Sequence, residues 1–160
     1  MMAHKKTAGL LLYRIRDSAV EVFLVHPGGP FWAKKDEGAW SIPKGEFADD
    51  EQPLSAATRE FQEETGFSME GNFMALAPLK QRSGKLVYAW ALEGDCDAGA
   101  IKSNLFSMEW PPRSGKRQEY PEVDRASWFT LESAKRRIVP GQIAFLEELQ
   151  QMLDRDAPTS

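Results

Sequence analysis

The chain has 160 residues, 28% charged and 42% hydrophobic, with a formal net charge of -4. That is enough to bury one domain's core, and it lacks the basic excess that marks a duplex nucleic-acid binder. One cysteine, Cys96, and two histidines exclude an internal disulfide and a usual zinc site, and they fit a reducing, cytoplasmic setting.

Lys5 and Lys6 precede an apolar run from Ala8 to Tyr13 that stops at Arg14. The run is too short to span a membrane, so it reads as a first strand rather than a signal peptide, and no later stretch approaches a span. Residues 7–15 and 20–26 read as two strands joined by the polar turn Arg16-Asp17-Ser18. Residues 26–40 read as loop, broken by Pro27, Gly28, Gly29, Pro30 and Gly38. In residues 39–43 Ile42 precedes a proline, which favours extended backbone. A helix is expected to start near Pro53, with Asp49, Asp50 and Glu51 just upstream, and to stop at Gly66.

Residues 85–94 form the next expected strand, followed by loop from Gly94 to Gly99. Residues 106–110 form another, ended by Pro111-Pro112. Residues 125–130 lead into a helix from about Leu131 to Ile138, and Pro140-Gly141 breaks the chain again. The last helix, from about Gln142 to Asp154, carries Ile143, Leu146, Leu149 and Leu153 at spacings of three and four. The expectation is an α/β fold with a mixed sheet, one domain over residues 1–154, and a frayed tail at 155–160.

The helix after Pro53 carries the chemistry. Leu54, Ala57 and Phe61 fall on one stripe that should face the sheet, and Glu60, Glu63 and Glu64 fall within an arc of roughly 100° beside it. Like charges at these spacings repel by a few tenths of a kcal/mol per pair, so something positive must offset them. Arg59 stands four residues before Glu63, with Glu51 upstream in reach. A solvated acidic face is one reading. A hard divalent cation held by carboxylate oxygens, magnesium or manganese, is the other.

The spacing decides between them. Five residues separate Gly45 from Glu51, seven more precede Arg59-Glu60, and Phe61, Glu63-Glu64, Gly66 and Phe67 complete a 23-residue pattern. Every defined position resembles the Nudix box, the signature of hydrolases that cleave nucleoside diphosphates linked to another moiety. The resemblance implies a Nudix α/β/α sandwich and a Mg2+-dependent pyrophosphohydrolase, with Mn2+ as the other metal. It implies metal binding by Glu60, Glu63, Glu64 and the Gly45 carbonyl, with Arg59 and Glu51 bracing the loop. A metal there would neutralise phosphate oxygens and make the attacking water more acidic.

The resemblance extends less specifically to the substrate. Trp40 followed by Pro43-Lys44-Gly45 is similar to the entry in dinucleoside polyphosphate hydrolases of the family, although Glu46 stands where those enzymes carry histidine. Diadenosine polyphosphate is therefore the leading substrate expected. A nucleotide sugar, a capped RNA end or a damaged nucleoside triphosphate are alternatives, as is a non-catalytic nucleotide sensor. Arg113, Lys116 and Arg117, in a loop around Gly115, would clamp distal phosphates or merely solubilise the surface. Phe31, Trp32, Trp40, Trp110 and Tyr120 offer stacking faces, with at least half expected in the core. His26 reads as a strand-end residue, and Lys80, Arg82 and Lys85 as a solvated hairpin. For the general base, Glu122 is favoured over Glu119, because Pro121 fixes its approach and Val123 anchors the next residue inward. The alternative is that both glutamates offset Lys116, Arg117 and Arg125. A small nucleotide is thus the expected partner, with neither a membrane nor nucleic acid implied, and the oligomeric state stays open.

Overall fold

The computed structural model describes residues 6–156. Lys5 and residues 157–160 of the expected tail lie outside them. In chain order the described residues form β1 (Lys6–Arg16), β2 (Ala19–Pro27), β3 (Lys44–Phe47), α1 (Pro53–Thr65), β4 (Met74–Ala75), β5 (Leu79–Lys80), β6 (Leu86–Glu93), β7 (Leu105–Glu109), β8 (Arg117–Pro121), β9 (Val123–Thr130), α2 (Leu131–Arg137) and α3 (Ile143–Asp156).

Seven strands make one mixed sheet in the order β4-β6-β1-β2-β9, with β3 also pairing β1 and β5 also pairing β6. β1 is central because it is buried on both faces. Ala8, Leu10 and Leu12 point into one core, and Leu11 and Tyr13 into the other. Period-two geometry thus turns a continuous apolar run into two packed layers. β2 returns antiparallel through Asp17 and Ser18, both at positive φ (52° and 67°), the two-residue hairpin geometry whose twist matches the strands. β6 pairs parallel to β1, residue for residue from Lys6↔Leu86 to Tyr13↔Glu93.

Helix α1 covers one face, packing Ala56, Ala57 and Phe61 against Ala8, Leu10, Leu12 and Phe23. α3 covers the other with Phe145, Leu146 and Leu149, joined by Ala134 of α2 and by Ile138. This is a three-layer α/β/α sandwich, the architecture expected from the sequence. No helix among the described residues is long and apolar enough to cross a membrane.

Several local expectations shift. The extended residues 39–43 make only isolated bridges, Val25↔Ser41 and Trp40↔Ile138, and the ladder on β1 starts later, at Gly9↔Lys44. Leu54 is only half-buried, so the packed stripe of α1 is centred on Ala56, Ala57 and Phe61. Arg117, expected in a loop around Gly115, instead opens β8, and residues 117–121 pair with β7 in a separate two-stranded ribbon. α3 runs on to Asp156, two residues past the expected end.

Candidate active site

Helix α1 starts at Pro53, which needs no N–H partner in the first turn, and ends at Gly66 with φ 83°. Between them Arg59 gathers the acidic residues. Its Nε and Nη2 donate to the two carboxylate oxygens of Glu51 at 2.8 and 2.9 Å, a bidentate grip across the loop. Its Nη1 donates to Glu60 at 2.8 Å and to Glu63 at 3.1 Å. One guanidinium thus offsets three carboxylates. It holds Glu51 below the usual carboxylate range, and its bonds to Glu51 in turn raise its own affinity for the proton.

Burial works against that compensation. Glu60 is buried, at 8% exposure, and burial raises its pKa despite Arg59. Glu64 accepts from the backbone N–H of Lys44 at 3.1 Å, yet burial pushes it up to about 8. Glu122 is raised as well, first by burial and then by the charge of Glu63. Burial also lowers the Lys44 ammonium, although Glu64 pulls it the other way. Four carboxylates therefore share a half-buried region with too little positive charge, the electrostatic setting that a divalent cation relieves.

The backbone beside them is matched to that task. A Cβ on Gly45 would lie 2.0 Å from the Glu60 carboxyl carbon, so glycine is what lets the Glu60 carboxylate rest against strand β3. The donor set is oxygen-only, as magnesium or manganese prefers. Among the described residues, however, no three such side chains already converge as a metal cage. The hydrogen bonds explain this: Glu60 and Glu63 are drawn to Arg59 and Glu64 to Lys44, so each carboxylate must turn from its present partner to share an ion.

Glu122 reaches the cluster through a relay of backbone contacts. The Asn104 N–H donates to the Glu63 carbonyl at the end of α1, and the Asn104 carbonyl accepts from the Glu122 N–H. Gly28 N–H then donates to the Glu122 carbonyl. A cleft of about 280 Å³ opens beside these groups, lined by Lys44, Glu64, Gln81, Glu122, Ser41, Gln142 and Trp32 over an apolar floor of Val25, Ile42 and Val139. Glu119 is exposed on β8, opposite Ser107.

The expected substrate contacts divide. Lys44 lines the cleft. Trp40 does not, which corrects its assignment as a stacking face. It is 4% exposed, edge-on to His26 and Phe129, and its Nε1 donates to Asp36, so no face is open to a base. Tyr120 packs on Phe106 and donates to Gln118. Arg113, with φ 63°, and Lys116 lie in the turn of the β7–β8 ribbon, while Arg117 opens β8 and is fastened to Ser107. At about 3.3 Å per residue, Arg117 stands roughly 16 Å along the strand from Glu122. His26 is fully buried, with Nδ1 2.8 Å from Asp124 and Nε2 2.6 Å from the Lys35 carbonyl. Gln142, whose Oε1 accepts from Ile42 N–H, and Gln81 line the cleft without any signal in the sequence, because each reads there only as a polar residue beside a turn or helix end.

Solved structures share this architecture at low identity. An Ap4A hydrolase of C. elegans in a binary complex superposes with a TM-score of 0.64 at 21% identity, covering 94% of this chain and 98% of that one. The NUDIX domain of Shewanella oneidensis NrtR, complexed with ADP ribose, gives 0.66 at 16% identity, over 96% and 90%. A MutT structure, from work on Aliivibrio salmonicida and Vibrio cholerae, gives 0.56 at 14%, over 92% and 96%. These likenesses speak to fold. No curated protein matches the chain. The NUDIX domain model matches residues 3–149, and with that extent the chain belongs to the Nudix family.

Proposed function

We propose that the chain is a Mg2+-dependent pyrophosphohydrolase, with Mn2+ as a substitute, that cleaves a phosphoanhydride in a nucleoside diphosphate linked to another moiety. Diadenosine polyphosphate is the leading substrate. One observation carries the reading: Glu60 and Glu63 share Arg59 with Glu51, Glu64 accepts from the Lys44 N–H, Glu60 lies against the Gly45 backbone, and Glu64 and Glu122 line one cleft.

In this reading Glu60, Glu63, Glu64 and the Gly45 carbonyl hold the metal, which supplies charge neutralisation on the phosphate oxygens and a more acidic water. Arg59 and Glu51 keep the carboxylates on one side of α1. Lys44 meets a phosphate oxygen from the cleft wall. Glu122 takes the proton from the attacking water. Its raised pKa makes it a better base than an exposed carboxylate, and its position near Glu63 supports this role over Glu119. Arg113, Lys116 and Arg117 engage the distal end of a long phosphate chain, with Tyr120 behind them.

ADP ribose is itself a nucleoside diphosphate joined to a second sugar, and its complex with the NrtR domain favours a nucleotide sugar as the second reading, cleaved or only bound. A substrate panel with product identification separates the readings. Asymmetric cleavage of diadenosine tetraphosphate yields ATP and AMP, whereas a nucleotide sugar yields a nucleoside monophosphate and a sugar phosphate. A sensor binds without yielding either.

A further inference from the structure

The cleft beside Glu64 has a neighbour. A second hollow of about 380 Å³ lies between the 28–32 loop and the β7–β8 ribbon, and the two share Pro27, Trp32 and Glu122. Its walls are Phe31 and Trp32 on one side and Phe106 and Met108 on the other, over the backbone of Gly28 and Gly29. Apart from Glu122 at the shared edge, no lining residue carries a charge. Such walls reject a phosphate or a free sugar and suit a flat ring, which stacks on aromatic faces and on a thioether.

The walls are fixed by contacts among their own residues and the neighbours behind them. Phe31 and Trp32 meet edge to face at 5.2 Å, and the Lys35 ammonium lies 4.0 Å from the Phe31 ring centre and 5.0 Å from that of Trp32. Buried His26 holds the Lys35 carbonyl and so pins the end of this loop. On the far side Tyr120 backs Phe106, whose ring tip would be 3.0 Å from a Cβ on Gly29. Phe31 is nonetheless 59% exposed, a large ring left facing solvent beside an open slot.

We propose that this slot binds the second nucleobase of a two-base substrate, with the first base in the Glu64 cleft and the phosphate chain crossing between them past Glu122. The proposal rests on the hydrolase reading above and narrows it. A nucleoside triphosphate or a nucleotide sugar leaves the slot empty, whereas a dinucleoside polyphosphate fills both hollows and places its anhydride bridge at their junction.

The test compares diadenosine tetraphosphate with ATP on the full chain, using Phe106→Ala and Phe31→Ala, which remove half-exposed or exposed rings outside the two main cores. Stacking of a base on an aromatic side chain contributes about 1–3 kcal/mol, or roughly 5- to 150-fold in binding. Each variant is expected to raise KM for the two-base compound about tenfold, to keep kcat within twofold, and to leave ATP unchanged. Calorimetry with calcium in place of magnesium reads the same contrast in Kd without turnover. If the chain hydrolyses neither compound, the diadenosine polyphosphate reading fails, and the calorimetry still decides the slot. Equal loss on both compounds, no loss on either, or a wild type that binds the two-base compound no more tightly than ATP overturns the proposal.

Discussion

At Gly45 the side chain is a single hydrogen atom, and the Glu60 carboxylate lies where a larger one would stand. Its missing Cβ makes room for the Glu60 carboxylate, which would otherwise stand 2.0 Å away from it. Gly45→Ala must therefore push β3 off α1 or expel Glu60. Overpacking of this kind costs about 1–3 kcal/mol, so the melting temperature should fall and magnesium should no longer raise it. Thermal scans with and without the metal check both. A second contrast concerns Glu122 and Glu119, three residues apart in sequence and unlike in setting: one half-buried near Glu63, the other exposed on a ribbon. Glu122→Gln should lower turnover by about 10²–10⁴-fold with metal affinity preserved and partial rescue at alkaline pH, while Glu119→Gln stays near wild type. If both keep wild-type turnover, the base lies among the α1 glutamates, and Glu63 and Glu60 become the candidates.

Helix α1 and the β7–β8 ribbon differ as elements in how they place their charges. The helix brings its carboxylates by local geometry, since residues three and four apart share a face whatever surrounds them. The ribbon brings its cations on a lever, with Arg113, Lys116 and Arg117 at its far end. Replacing those three with alanine should weaken substrates of four or more phosphates at least several-fold more than a two-phosphate substrate. Kinetics across a phosphate-length series read this directly, and equal losses would return the tip to a solvated surface. The same contrast explains what could be read in the sequence. The carboxylate cluster and the strands β1, β2, β6 and β9 were legible, because their signals are short-range spacing and apolar runs. β3 and β8 were not, because both are polar and owe their extension to ladder partners far away in the chain. The approach of Glu122 to Glu63 depends on Asn104, and the loss of Trp40 to the core on His26 and Phe129, and neither is a matter of spacing.

Taken whole, the molecule has a net charge of -4, and on the proposed function it must still receive a polyanion. The cost appears in its dependence on pH. Without metal, Glu64 keeps its proton in the folded chain up to about pH 8, against an ordinary value of 4.5. The folded chain thus binds more protons in that window, so this contribution is full below about 4.5 and is lost as pH rises through about 8. Glu60 and Glu122 shift in the same direction. The metal-free melting temperature should fall between pH 5 and 9, and Glu64→Gln should flatten that slope. Magnesium should reverse it, since it binds the ionised carboxylates. Calorimetric scans at several pH values check the slope.

The most direct test of the central claim is the turnover number of wild type and Glu64→Gln in magnesium, on whichever phosphoanhydride substrate the wild type cleaves, with products identified. The substitution keeps the side chain's volume and removes one charged ligand. Turnover is expected to fall by on the order of 10²–10³-fold, with a metal-free melting temperature near neutral pH that is unchanged or higher because a repulsive charge is gone. Turnover near that of the wild type would contradict it, and would mean that the chemistry is done elsewhere than on α1.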